Sequence, residues 1–303
     1  MKVIVIGANG QVGSEIIKLF STTSHDVLAF TRKELDCSNI STIGMALSGA
    51  QPDLIVNAAA YTAVDKAEDE VSLAHLINEE FVRQVAIYCA QKKIPLIHLS
   101  TDYVFDGTKQ GDYLETDRPN PQGVYAQSKL LGEQAIVSHL NEHLILRVSW
   151  VFGAYGSNFV KTILKLAATR EELKIVADQW GRPTAARDIA RVILEIVQKI
   201  NYATFEQWGI YHYAGEGITN WYEFSKVFIN MAKDKGLPLV LKNLCPIKSE
   251  EYSTKAKRPK NSVLNTDKIE QVLDIQCNEW NEYLPEVLDS LIEHVNDNRS
   301  GGI

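Results

Sequence analysis

The sequence predicts an α/β protein, a doubly wound parallel sheet of Rossmann type carrying a smaller mixed α/β lobe. Three observations predict it. Short apolar, β-branched runs alternate with helix-period segments through the first half of the 303 residues. A glycine loop stands between the first run and the first helix. After Trp150 the rhythm changes to helices separated by loops rich in Gly, Pro and Asn.

Lys2 to Ile6 is the first strand, followed by Gly7-Ala8-Asn9-Gly10-Gln11-Val12-Gly13, and Ser14 to Phe20 has apolar residues at helical spacing. Asp26 to Phe30 is the second strand. Leu54-Ile55-Val56 is the third, ending in Asn57 and three alanines. Leu73 to Gln91 reads as helix and Pro95 to Ser100 as a buried strand. A helix from Val124 leads to the strand Leu144 to Val148. Parallel strands need crossover connections, so repeated strand–helix–strand units imply a parallel sheet covered on both faces. Further helices are expected at Asn158–Ala168, Ala185–Lys199, Trp221–Lys235 and Asn278–Val295, and Arg299 to Ile303 reads as a frayed tail. The expected organisation is a dinucleotide-binding domain over 1–150, with 173–200 returning to its sheet, and a mainly substrate-binding lobe over 151–303.

Composition narrows the function. Hydrophobic residues at 45% and charged residues at 23% exclude a disordered or fibrous chain. A formal net charge of -7 argues against nucleic acid as partner, because phosphate neutralisation needs a basic surface. No apolar run reaches the roughly 18 residues of a membrane span, and the N-terminal run is broken too soon by Gly7 for a signal peptide. Cys37, Cys89, Cys245 and Cys277 lie far apart without a CxxC pair, which reads as reduced thiols in a cytoplasmic protein.

The glycines have a physical purpose. Gly7 allows a tight turn, Gly10 lets backbone approach a pyrophosphate, and Gly13 lets the helix pack on the strand. The phosphate would sit at a helix N-terminus, where free N–H groups and the dipole favour anions. The second strand ends Ala29-Phe30-Thr31-Arg32-Lys33, with two cations and no acid, so a 2′-phosphate is favoured and NADPH is expected over NADH. Asp36 is placed to cap the next turn or to contact the adenine.

Tyr125 and Lys129 form a YxxxK pair. Two other such pairs exist, Tyr88/Lys92 and Tyr222/Lys226, but both lie inside amphipathic helices and read as packing. Tyr125 instead opens a helix after Pro119-Asn120-Pro121-Gln122-Gly123, facing the carboxyl ends of the strands, where ligands bind in doubly wound sheets. Ketone reduction by hydride creates an alkoxide that needs a proton. A tyrosine has a pKa of about 10, and an ammonium one helical turn away is expected to lower it. Thr101, at the end of the strand closing at Ser100, either hydrogen-bonds the developing oxyanion or satisfies a strand-end carbonyl. His139 and His143, i and i+4 at a polar helix end with no third ligand nearby, read as surface residues.

From Met1 to about Thr266 the chain resembles the dTDP-4-dehydrorhamnose reductase family of the extended short-chain dehydrogenase/reductase superfamily. The resemblance rests on GANGQVG (7–13), NAAAYTAVDKAE (57–68), STDYVFDG (100–107), YAQSKLLGE (125–133), LRVSWVFG (146–153), NFVKTIL (158–164), DQWGRPT (178–184) and KRPKNSVLNT (257–266). It implies NADPH-dependent reduction of the 4-keto group of a dTDP-6-deoxy-4-ketohexose to dTDP-L-rhamnose. It implies Thr101, Tyr125 and Lys129 as the catalytic triad, with the last two also at the cofactor. Gly7, Gly10, Gln11, Val12, Asp36, Ala58, Ala59 and Ala60 fall on the family's cofactor positions, joined by Gly13 and Arg32 from the reading above. Asp102, Tyr103, Trp150, Asn158 and Arg258 fall near its nucleotide-sugar site. Trp150 would stack on a sugar or base or belong to the core; Arg258 would pair with a pyrophosphate or sit at the surface. Some members hold magnesium between two subunits on a glutamate early in the first helix and another after PT. Glu15 matches the first; Arg187 stands at the second, a cation that argues against a metal unless Asp188 substitutes. The expectation is a dTDP-sugar substrate, no metal, and a homodimer as the possible assembly. Competing readings are a nucleotide-sugar epimerase or dehydratase, which would need an acid pair beside Thr101 where only Asp102 stands, and a non-catalytic regulatory homologue of a methionine adenosyltransferase, which would lack a catalytic residue.

Overall fold

A computed structural model describes residues 1–201 and 204–300, and side chains up to 292. Residues 301–303 of the expected tail lie outside the described residues. Six strands form one parallel sheet: β1 (Lys2–Ile6), β2 (Asp26–Phe30), β3 (Leu54–Asn57), β4 (Leu96–Thr101), β5 (His143–Val148) and β6 (Gly209–Tyr213). Their spatial order is β6-β5-β4-β3-β1-β2. The chain leaves β1 for one side of the sheet and returns to β3 on the other, so the switch point lies between them, where doubly wound sheets bind ligands.

Alternation along each strand feeds two cores, because successive side chains face opposite ways. Val3 and Val5 face α1 (Gln11–Phe20) and a later helix at Ala186–Lys199, while Ile4 and Ile6 face the helix at Phe81–Lys92 and Ile136. The inner strands β1, β3, β4 and β5 are buried on both faces, which is why they read as mostly apolar runs, while the edge strand β2 is half exposed. The helices after α1 are numbered α2 (Ile43–Ala50), which the sequence reading did not name, α3 (Phe81–Lys92), α4 (Val124–His139), α5 (Phe159–Ala167), α6 (Ala186–Lys199), α7 (Trp221–Asp234) and α8 (Leu284–Ser300).

Several expectations change. The helix expected over 73–91 begins earlier and is built from a short helix Val71–His75, a π turn Leu76–Glu80 and α3. The expected return of 173–200 to the sheet holds only for its helix. Strand Glu172–Val176 pairs in parallel with Asn243–Ile247, with Leu173 and Ile175 in the core of the second lobe. The strand that returns is β6, parallel to β5. Its mixed sequence Gly-Ile-Tyr-His-Tyr has no clear period. The last helix starts at Leu284 rather than 278, with Pro285 in its first turn, where a missing N–H costs nothing. His143 is not at the surface: it opens β5, is buried, and its Nδ1 lies 2.6 Å from the Leu140 carbonyl. Tyr88 is buried in α3, and Lys226 lies 5.5 Å from the centre of the Tyr222 ring, so both are packing pairs. The four cysteines are free thiols.

Candidate active site

The glycine loop forms a cradle. The Gly7 N–H donates to the Phe30 carbonyl at 2.9 Å and the Gly10 N–H to the Gly7 carbonyl at 2.9 Å, folding the loop tightly over β1 and β2. Gly7 has φ +79°, and a Cβ there would meet the Ala59 nitrogen at 2.7 Å; a Cβ on Gly13 would run into the Gly7 carbonyl oxygen. α1 starts at Gln11 with no side chain capping it, leaving its first N–H groups for a ligand. Val12 packs into the core, so only its backbone serves the cradle. The Gln11 amide accepts from Asn158 Nδ2 at 2.9 Å, and Asn158 also caps α5 through Lys161 N at 3.0 Å. Asn158 therefore ties the second lobe to the glycine loop. Ala58, Ala59 and Ala60 follow β3 beside Gly7, with Ala58 N bonded to the Ile6 carbonyl.

At the end of β2, Arg32 is 80% exposed and pairs with Asp36 only through Nε at 3.4 Å, so its outer guanidinium nitrogens face solvent, where an anion can reach them. The Asp36 carboxylate accepts from the Ser38 hydroxyl at 2.7 Å and N–H at 2.9 Å, and these bonds hold its pKa below the usual range. Asp36 is thus the turn cap the sequence allowed.

Thr101 and Tyr125 meet at the carboxyl edge of the sheet, with Lys129 one turn further along α4. Thr101 closes β4; its hydroxyl contacts the Tyr125 phenol, donates to Asp102 Oδ1 at 3.1 Å and accepts from Tyr103 N at 3.2 Å. The N-terminus of α4 is held by Glu68, whose Oε1 accepts from Val124 N at 2.9 Å. Glu68 was missed as a positioning group, although it ends the NAAAYTAVDKAE motif. The expected depression of the Tyr125 pKa is not observed. Burial pushes it up to about 12, because Lys129 points elsewhere, its Nζ donating to the Leu99 carbonyl at 2.7 Å beside His98 Nε2 at 3.2 Å. Burial likewise lowers Lys129 to about 8.

Asp102 is buried near the Thr101 and Ser262 hydroxyls, and among the described residues Oδ2 has no partner in hydrogen-bond geometry; burial raises its pKa to about 7. Tyr103 packs edge-on against Tyr125 with ring centres 6.0 Å apart. Arg258 grips Asp65, 2.7 Å to Oδ2, and neighbours Tyr103. Trp150, in the left-handed region at φ +47°, stacks on Trp221 at 3.5 Å, packs against Gly181 and donates to Ser262 Oγ at 3.1 Å, so its ring already has protein partners. A large open cleft lined by Arg258, Trp221 and Gln179 shares Val64, Ala256 and Lys257 with a small pocket over Tyr103 and Tyr125.

Glu15 is buried and its carboxyl raised by that burial, against Lys18 and Arg187; Arg187 pairs with Glu286. Asp188 is fully committed: Oδ1 accepts from Tyr283 at 2.6 Å, Arg191 at 2.8 Å and Asn278 at 3.0 Å, and Oδ2 from Tyr213 at 2.5 Å. It cannot substitute for a glutamate ligand without losing these bonds.

A glycine cradle at the switch point of a parallel sheet, with a YxxxK helix and a threonine at the same edge, defines an oxidoreductase of the extended short-chain dehydrogenase/reductase class. The profile of the RmlD substrate binding domain family matches residues 1–293. The dTDP-4-dehydrorhamnose reductase of Aggregatibacter actinomycetemcomitans is 40% identical over 94% of this chain and 98% of its own. The crystal structure of the Clostridium acetobutylicum reductase is 35% identical with a TM-score of 0.88, covering 96% of this chain and 100% of that one. That of the Bacillus anthracis reductase in complex with NADP is 35% identical with a TM-score of 0.87, covering 96% and 99%. The chain belongs to the dTDP-4-dehydrorhamnose reductase family.

Proposed function

We propose that this chain reduces the 4-keto group of dTDP-4-dehydro-L-rhamnose to dTDP-L-rhamnose with NADPH. The meeting of Thr101 and Tyr125 at the sheet edge, with Lys129 one helical turn beyond Tyr125, carries the reading, in a chain 40% identical to a reductase of that name. The residues fit the cofactor: the tightly folded glycine loop leads into α1, whose N-terminus no side chain caps, and exposed Arg32 suits a 2′-phosphate. When bound, NADPH supplies the hydride. Tyr125 gives its proton to the C4 oxygen; a pKa near 12 keeps it a phenol at neutral pH, the form a reduction needs, and an alkoxide is more basic still. The Thr101 hydroxyl supports the same oxygen. Lys129 is assigned to the nicotinamide ribose. Asp102, whose Oδ2 lacks a partner, suits a sugar hydroxyl, and Arg258 with Tyr103 the pyrophosphate. The 1–150 domain with α6 and β6 holds the cofactor, and the rest the nucleotide sugar.

Absorbance at the nicotinamide band with dTDP-4-keto-6-deoxy-L-hexose tests the reading. NADPH is consumed faster than NADH, and consumption of neither overturns it. Tyr125→Phe abolishes turnover and leaves NADPH binding within about twofold; unchanged turnover means another group donates the proton. No described helix is long and apolar enough to cross a membrane. The reading further assigns the enzyme to the cytoplasm as a homodimer, which light scattering on the purified protein checks.

A further inference from the structure

Behind Lys129 on α4 lie two buried residues to which the proposed reaction assigns no role: Asn57 at the end of β3 and His98 on β4. Asn57 and His98 are wholly buried and Lys129 is 2% exposed. Asn57 Oδ1 accepts from the Ala59 N–H at 3.1 Å, which fixes the amide so that Nδ2 faces His98 Nδ1 at 3.1 Å. A flipped Asn57 would set two donors against each other at Ala59. Nδ2 can only donate, so Nδ1 must carry the lone pair and Nε2 the proton. That proton points at Lys129 Nζ, 3.2 Å away. An ammonium has no lone pair to receive it; a neutral amine has one, and still donates to the Leu99 carbonyl at 2.7 Å.

The surroundings agree. The carboxylate whose charge reaches Lys129 is Glu133, one turn along α4, but Arg147 on β5 holds both its oxygens, Nη2 at 2.6 Å and Nε at 3.0 Å, and Ser100 donates to it as well. A protonated His98 is disfavoured by burial. We propose that His98 is a positioning residue, held as the Nε2–H tautomer by Asn57, that hydrogen-bonds a neutral Lys129 amine in the ligand-free enzyme. Burial lowers the Lys129 pKa in the same sense. The network reaches the cofactor cradle, because the Ala59 nitrogen that orients Asn57 is the atom a Gly7 Cβ would strike. Lys129 thus leaves Tyr125 a full phenol at rest. The inference deepens the proposed function by assigning how Lys129 is held, and it rests on that reading only for the word catalytic.

The test uses full-length, ligand-free protein and needs no turnover. In enzyme labelled with nitrogen-15 at its seven histidines, the signal assigned to His98 by its loss in His98→Gln shows Nδ1 unprotonated and Nε2 protonated at pH 9, above the Lys129 titration, where the amine is neutral. In protein labelled at lysine, the signal lost in Lys129→Met titrates near 8. In His98→Gln, whose amide oxygen accepts from an ammonium, it moves up by about one unit or more. A purely structural His98 would change stability without moving that titration. If His98→Gln does not fold, His98→Asn takes its place for the assignment, and the wild-type tautomer decides. An Nδ1–H tautomer, or a Lys129 titration near 10, overturns the proposal. Absent reductase activity would overturn the proposed function and leave these signals unaffected.

Discussion

Asp102→Asn should make the protein more stable at pH 8 than at pH 4, relative to the wild type. The carboxyl is buried beside Thr101 with Oδ2 unpartnered, and its pKa is raised from 3.8 to about 7, chiefly by burial. Below pH 3.8 folded and unfolded chains both hold the proton, and the site costs nothing. Between 3.8 and 7 the unfolded chain releases the proton while the folded chain keeps it, so stability falls as pH rises. Above 7 both are ionised and the full difference persists. At 1.36 kcal/mol per unit, a rise from 3.8 to 7 corresponds to about 4 kcal/mol. Asparagine removes the titration. It also leaves an amide where Oδ2 was, a cost of roughly 1–3 kcal/mol that does not vary with pH. The decisive quantity is therefore the difference between variant and wild type across pH, from denaturant unfolding at pH 4.5 and 8. A gain at pH 8 of several kcal/mol over that at pH 4.5, with turnover reduced, supports the account. Parallel pH profiles would refute it and show that Asp102 is ionised and satisfied in the fold.

Other consequences concern the frame and the cradle. Glu133→Gln strands the Arg147 charge, both partners being 2% exposed, and should cost about 3–5 kcal/mol in denaturant unfolding; adding Arg147→Met should recover most of it. A loss under 1 kcal/mol would show that water reaches the pair. Gly13→Ala drives a methyl into the Gly7 carbonyl and should weaken NADPH binding by at least tenfold in a fluorescence titration, even where the variant folds. Arg32→Ala should raise the KM for NADPH roughly tenfold, a charge-assisted contact of about 1.5–3 kcal/mol, and leave that for NADH unchanged. Equal effects on both cofactors would place the 2′-phosphate elsewhere.

Much of this molecule is written locally. The strand runs at 2–6, 54–57, 96–101 and 143–148 are buried on both faces and therefore mostly apolar, so they are readable one by one, as is the shorter apolar run of the edge strand at 26–30. The glycine loop and the Tyr125/Lys129 spacing are likewise short-range, since a turn and a helix fix their geometry within a few residues. Context within the chain was also enough to separate Tyr125 from Tyr88 and Tyr222. What the sequence alone could not determine depends on partners far along it. Strand 172–176 found 243–247 instead of the main sheet, and β6 took the edge beside β5, because strand pairing is chosen by tertiary burial. Arg258 meets Asp65, and Trp150 meets Trp221, only once the second lobe folds over the sheet. Above all, the charge states of Tyr125, Asp102 and Lys129 follow from removal of water around them. Desolvation belongs to the assembled core and to no segment of it, so the spacing of Tyr125 and Lys129 suggested the pair while the packing decided where the ammonium points.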